Sequence, residues 1–137
     1  MTPIGSGTKD DPWQLRTPPG TGEYTMYRDE ANDPPRLVCV VGSTTLYYDL
    51  RSLDDLAAML TEAGDWIPLG SADENKPAKD GTVEAWGRSE SNPVGGWYGL
   101  RKGYCGRFGM YLPPLMEALG LAELEHLPRN NRMRAAR

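Results

Sequence analysis

The sequence predicts an α+β domain: a small antiparallel sheet of three to four strands packed by an amphipathic helix, with a Gly-rich helical and loop C-terminal part ending in a β-hairpin. Two alternating segments, EYTMYRD (23–29) and TTLYYDL (44–50), flank the continuous apolar run RLVCVV (36–41). A capped helical pattern follows at 52–64. The length of 137 residues suits one core rather than two. We therefore expect a flexible N-terminus over residues 1–9 and a single domain over 10–137.

Residues 1–9 are rich in Gly, Ser and Thr and lack periodicity, and Trp13 and Leu15 then dock a short extended piece. TPPGTG (17–22) reads as a turn. In EYTMYRD, alternation places Tyr24 and Met26 on one side and Thr25 and Tyr27 on the other, with side chains suited to a pleated surface. NDPP (32–35) is turn chemistry, and RLVCVV suits a central strand covered on both faces. After Gly42 and Ser43 the alternation resumes with Leu46, Tyr48 and Leu50 on one face, which completes a hairpin. Ser52 is placed to cap a helix with its hydroxyl, Asp54 and Asp55 complement the positive helix end, and Leu53, Leu56, Ala57 and Leu60 form one stripe. Gly64 supplies the stop.

Beyond Asp65, WIPLG reads as an extended packing segment and SADENKPAKD as polar loop. Thr82 to Ser89 forms a short helix carrying Val83 and Trp86 inward. NPVGGWYGLRKGYCGRFG (92–109) sets glycines at 95, 96, 99, 103, 106 and 109 among aromatic and basic residues. MYLPPLMEALGLAELEHL reads as a helix with Pro113 and Pro114 near its first turn, Leu115, Met116 and Leu119 apolar, and Gly120 at its end. AELEHL and RMRAA are the last strands, joined through PRNN. A helix followed by such a hairpin has the order of a winged helix, although the prolines would shorten a recognition helix.

Composition narrows the classes. No stretch approaches the ~18 consecutive apolar residues of a membrane helix, and the N-terminus lacks a basic region followed by an apolar run. Membrane insertion and export are disfavoured. Cys39 and Cys105 lie far apart, the first in an apolar run where a reduced thiol behaves as a small hydrophobe, so a cytoplasmic location is expected. The net charge of −4 hides an asymmetry: residues 1–93 carry eight Lys and Arg against sixteen Asp and Glu, and 94–137 carry seven against three. A basic end can meet phosphate or an acidic partner.

The strings GTKDDPWQL, EYTMYRDE, VEAWGRS, NPVGGWYGL, GRFGMYLPPLMEALGLAELEH and RNNRMRA together resemble a family of small bacterial proteins classed as a domain of unknown function. The resemblance covers nearly the whole chain. It implies a compact bacterial protein and supplies no activity, cofactor or catalytic residue.

Little in the sequence points to catalysis. His126 stands alone, and the cysteines form no CxxC pair, so neither metal nor cofactor is expected. Cys105, between Lys102 and Arg107, is the one nucleophile with a physical argument, because nearby positive charge stabilises a thiolate. A small residue in a crowded turn explains it equally well. The carboxylate pairs Asp10–Asp11, Asp54–Asp55 and Asp73–Glu74 have no convergence that sequence can establish. No catalytic residue is assigned.

The Gly-rich segment matches neither a P-loop nor a strand-led GxGxxG turn. Its residues Trp97, Tyr98, Arg101, Lys102, Tyr104 and Arg107 are the candidate ligand-binding set, stacking a base or ring and pairing its phosphate. The competing reading packs Trp97 and Tyr98 into the core below a tight loop. Arg129, Arg132 and Arg134 are candidate contacts to a nucleic acid or acidic partner, with Asn130 and Asn131 at the turn. The sequence thus points to a noncatalytic binding module for a nucleic acid, a phosphate-bearing ligand or an acidic protein partner, without a membrane. The alternative is a small enzyme with a pocket between the sheet and the Gly-rich segment, using Cys105, His126 or a carboxylate.

Overall fold

The computed structural model describes residues 4–70, 76–98 and 107–136. Strands β1 (Trp13–Arg16), β2 (Glu23–Asp29), β3 (Arg36–Val41) and β4 (Thr44–Asp49) form an antiparallel meander in that spatial order. Met26 sits opposite Cys39, which sits opposite Leu46, and Leu37 sits opposite Tyr48. With Trp13, Leu15 and Tyr24, these residues make one buried face of the sheet. Val38 is buried on the other face, in register between Tyr27 and Tyr47. Val40, on the same face as Val38, stays half-buried, so the apolar run of β3 is covered fully on one side and only in part on the other, short of the two-sided cover its composition predicts.

Residues 4–8, within the N-terminal stretch, lie against this sheet. Ile4 bridges Gln14, and the Arg28 amide donates to the Gly7 carbonyl at 2.9 Å.

Helix α1 (Ser52–Ala63) buries Leu56 and Leu60, and Gly64 closes it in the left-handed region at φ 68°, its amide bonded to the Leu60 carbonyl. Its start differs from the expected cap. Arg51 occupies the cap position, and the buried Ser52 hydroxyl donates backwards to the Asp49 carbonyl at 2.6 Å, joining helix to strand instead of satisfying a helix amide. Helix α2 (Val83–Trp86) is capped as its sequence suggests, with Thr82 Oγ1 accepting from the Ala85 amide at 3.1 Å.

Helix α3 (Phe108–Ala118) begins five residues before Pro113, so the two prolines stand inside the helix rather than at its first turn. Burial explains this: Phe108, Tyr111, Leu112, Leu115 and Met116 are enclosed, and packing on several sides outweighs the local cost of the prolines. Tyr24 Oη donates to the Tyr111 carbonyl at 2.7 Å, the Tyr24 and Tyr111 rings meet edge to face at 4.9 Å, and Phe108 meets Tyr48 at 6.0 Å. The helix that closes the core over the sheet is thus α3 as well as α1. So enclosed a helix has no face to offer a nucleic-acid groove, which removes the winged-helix order as a guide to function.

The C-terminal hairpin does not join the first sheet. Strands β6 (Ala122–Leu124) and β7 (Arg132–Ala135) pair antiparallel, and β7 also pairs with β5 (Ile67–Pro68) from WIPLG, giving a second sheet in the order β5-β7-β6. Buried Asn131 fixes the turn by accepting from the Leu127 amide at 2.6 Å and donating to the Leu127 carbonyl at 2.9 Å. Among the described residues, no helix is long and apolar enough to cross a membrane.

Candidate functional site

Of the ligand-binding set read from the Gly-rich segment, Trp97, Tyr98 and Arg107 are described, whereas Arg101, Lys102 and Tyr104 lie outside the described residues, as does Cys105. Tyr98 is a core residue. It is fully buried, packed at 5.3 Å from Trp86 and 5.5 Å from Phe108, and its hydroxyl donates to Asp55 at 2.7 Å. Burial first, and then the Asp55 bond, hold its phenol well above the usual tyrosine range. A ring with no exposed surface cannot stack a base, so the core reading of Tyr98 replaces the binding one. Trp97 is half-buried with the Arg88 guanidinium 4.1 Å from its ring centroid. Arg107 is exposed and holds the cap position of α3 in the left-handed region, φ 60°.

The second basic group is largely spent inside the second sheet. Arg132 meets Glu125 through Nε at 3.0 Å and Nη2 at 2.8 Å, and Arg134 meets Glu123 at 3.0 and 2.7 Å. Both guanidiniums lie over Trp66, at 5.4 and 4.3 Å. The Arg132 hydrogen bonds hold the Glu125 carboxyl below its ordinary value. Two candidate phosphate contacts are thus already matched by carboxylates, and Arg129 stays exposed at the turn. A signal for this pairing stands in the sequence: E-L-E on one strand of a hairpin faces R-M-R on the other.

Sequence reading also missed Glu84 and Arg88. Glu84 is fully buried; its Oε1 accepts from the Gly109 amide at 2.8 Å and its Oε2 from Arg88 Nε at 3.1 Å. A carboxylate from α2 thereby satisfies the N-terminus of α3, 25 positions away in sequence. Glu84 is fully enclosed and acts on the scaffold, while Arg88 reaches the edge of a cavity.

A larger opening lies elsewhere. A cavity of about 810 Å³ runs round the edge strand β1. Gln14, Arg16, Glu23, Thr25 and Val40 line it from one face of the sheet, and Leu15 and Tyr24 from the other, where Pro114, Glu117 and Ala118 of α3 form the opposite wall. Arg16 and Glu23 pair across the strands at 2.9 Å, both well exposed. At one end stands His126, with Nδ1 2.9 Å from the Pro18 carbonyl and Nε2 2.7 Å from Glu117 Oε2. A second cavity of about 660 Å³ lies by Trp86, Arg88 and Trp97.

Comparison with known proteins gives a family without an activity. The model of DUF6855, described as a family of unknown function, matches residues 5–136, nearly the whole chain. The chain belongs to that family. No curated protein and no solved structure matches it.

The chemistry open to this DUF6855 protein is set by how its polar groups are engaged. A catalytic histidine needs one ring nitrogen free to face its substrate. Both nitrogens of His126 face protein acceptors, which suits a fixed cation better than a general base. Among the described residues, no three His, Cys, Asp or Glu side chains gather as a metal would require. Cys39 is free and enclosed, and burial pushes its thiol far above the usual cysteine range, so it is a core residue without nucleophilic character.

Proposed function

We propose that this protein is a noncatalytic binding module for a small amphipathic molecule, held in the groove round β1 with an acidic, phosphate-like end toward Arg16. The cavity of about 810 Å³ carries this reading. Its size falls in the range of small-molecule pockets, and it combines apolar walls with a few convergent polar groups. Leu15, Val40, Pro114 and Ala118 suit an aliphatic body, while Gln14 and Thr25 supply hydrogen bonds. The Arg16–Glu23 pair is exposed at 67% and 75%, so a competing anion opens it at small cost. A nucleic acid or an acidic protein as the partner is less well supported, since Arg132 and Arg134 are already matched by Glu125 and Glu123. In the same reading the setting is a bacterial cytoplasm: the resemblance is to small bacterial proteins, and the buried Cys39 thiol suits a reducing compartment.

The test is a titration of ¹⁵N-labelled protein with decyl phosphate, decylamine and short oligonucleotides. Decyl phosphate is expected to give saturable shifts at Thr25, Val40, Ala118 and His126, and Thr25→Trp, which fills the groove from the exposed strand face, to abolish them without loss of folding. No saturable shift up to about 1 mM, a binding free energy of only about 4 kcal/mol, would overturn the reading. Tighter binding of decylamine would overturn the acidic end and keep the groove. Salt-sensitive oligonucleotide binding that leaves groove signals unmoved would restore the nucleic-acid partner.

A further inference from the structure

His126 is the only histidine in the chain, and both of its ring nitrogens face acceptors. A carbonyl oxygen has no proton to give, and an ionised carboxylate only accepts. A neutral imidazole carries one N–H and can satisfy one of these partners, whereas the imidazolium satisfies both. The two partners belong to different walls. Pro18 lies in the 17–22 loop, whose Thr17 and Gly20 line the groove, and Glu117 lies on α3 opposite.

We propose that His126 is a pH-operated latch on this groove: doubly protonated it ties the 17–22 loop to α3, and on losing a proton it releases one of the two walls. The consequence for ligand exchange rests on the groove being the binding site; the latch itself does not. The charged groups around it define the switch. α3 presents Glu117, β1 and β2 present Arg16 and Glu23, which pair with each other, the TPPGTG loop presents no charged side chain, and neighbouring Glu125 is held by Arg132. Burial pulls the imidazole pKa down, but the Glu117 hydrogen bond, the Pro18 carbonyl and the Glu117 charge together outweigh it and raise it. Release therefore falls on the alkaline side of the ordinary histidine value of about 6.5.

The single imidazole makes the test direct. ¹⁵N NMR of the full chain across pH is expected to show both ring nitrogens protonated at low pH, and the amides of Thr17, Gly20 and Gly22 moving with the same midpoint as the ring. Protection of those amides, corrected for intrinsic exchange, should fall about tenfold through the transition, the equivalent of one charge-assisted hydrogen bond. Glu117→Gln should lower both midpoints together, and His126→Gln should leave the loop flat across pH. Loop amides that ignore the His126 titration would overturn the latch. Decanesulfonate, whose charge does not titrate, reports on the groove: its dissociation rate should rise with the same midpoint. If the loop follows the ring but decanesulfonate never binds, the latch stands and the groove reading falls. If decanesulfonate binds with rates independent of pH and the loop stays still, the groove stands and the latch falls.

Discussion

Replacing Glu84 with alanine should be among the most damaging single changes available to this fold. The carboxylate is fully enclosed and its partners include the Gly109 amide in the first turn of α3 and the guanidinium of Arg88, whose side chain is only 9% exposed. Alanine leaves a buried helix amide without an acceptor, a loss of about 1–3 kcal/mol, and takes from Arg88 its carboxylate, although Arg88 keeps the Lys76 carbonyl at 2.6 Å and the Trp97 ring. Breaking a buried pair from one side costs about 3–5 kcal/mol in total. Against a whole-domain stability of about 5–15 kcal/mol, that is a large fraction. It corresponds to a fall in melting temperature on the order of 10–20 °C for a chain of this size. Chemical denaturation followed by tryptophan fluorescence and far-UV circular dichroism measures it. Glu84→Gln keeps the acceptor for Gly109 and loses only the charge, so it should lie between wild type and alanine. Alanine at both 84 and 88 should cost less than the two single changes added together. A loss below about 1 kcal/mol for Glu84→Ala, with the Gly109 amide still protected from exchange, would refute the role assigned to the pair.

Further changes probe other parts of the structure. Gly109→Ala would set a methyl carbon 2.5 Å from the Leu69 carbonyl oxygen, a backbone atom that cannot move aside cheaply, so a loss of about 2 kcal/mol or more is expected in the same denaturation assay. Asn92→Asp should destabilise the 86–98 loop, because its Nδ2 donates to the Trp86 and Gly96 carbonyls at 2.8 and 2.7 Å and aspartate supplies no such donors; amide exchange at Gly96 and Tyr98 reports the loss. The raised folded pKa of His126 fixes the sign of its pH effect: its contribution is complete below the unfolded value of about 6.5 and is lost as pH rises through the folded value. The melting temperature of the wild type should therefore fall relative to His126→Gln as pH rises above about 6.5, and a constant difference would contradict the assignment.

The legible parts of this chain are those whose cause is local. Alternation in 23–29 and 44–49, the apolar run between them and the glycine stop at 64 each act within a few residues, and the meander and α1 follow from them. Ser52 shows where that locality ends: the residue type that caps helices was present, but the Asp49 carbonyl claimed its hydroxyl. The start of α3 lay further from reach. Its first turn contains Gly109 and precedes two prolines, and what supports it is a carboxylate on α2 and the apolar face of the first sheet. Propensity read along the chain has no access to either. The ELE and RMR pattern stands in the sequence, but a charge count along the chain shows only a basic end; the hairpin register is what sets Glu123 against Arg134 and brings Glu125 to Arg132.

The candidate groove was illegible for a different reason. Its walls come from positions 4, 12–25, 40–42, 114–118 and 126, and no motif spacing connects them. The Gly-rich segment drew attention because its composition is unusual, yet Tyr98, at the described end of it, is a core side chain packed against Trp86 and Phe108. At the described end of the segment, Gly95 and Gly96 have positive φ, 74° and 156°, with open space where a Cβ would sit, so they answer a demand of the backbone, while Tyr98 answers one of ring packing. The groove, by contrast, is made of common residues, Gln14, Thr25, Val40 and Ala118 among them, with little beyond ordinary strand and helix surface to mark them. Its one distinctive member, His126, gains significance only when the fold sets Pro18 on one ring nitrogen and Glu117 on the other. Where a site is defined by two walls meeting at a sheet edge, its signature is the valence of a shared side chain: a lone histidine whose two nitrogens both face acceptors can hold both walls only as a cation.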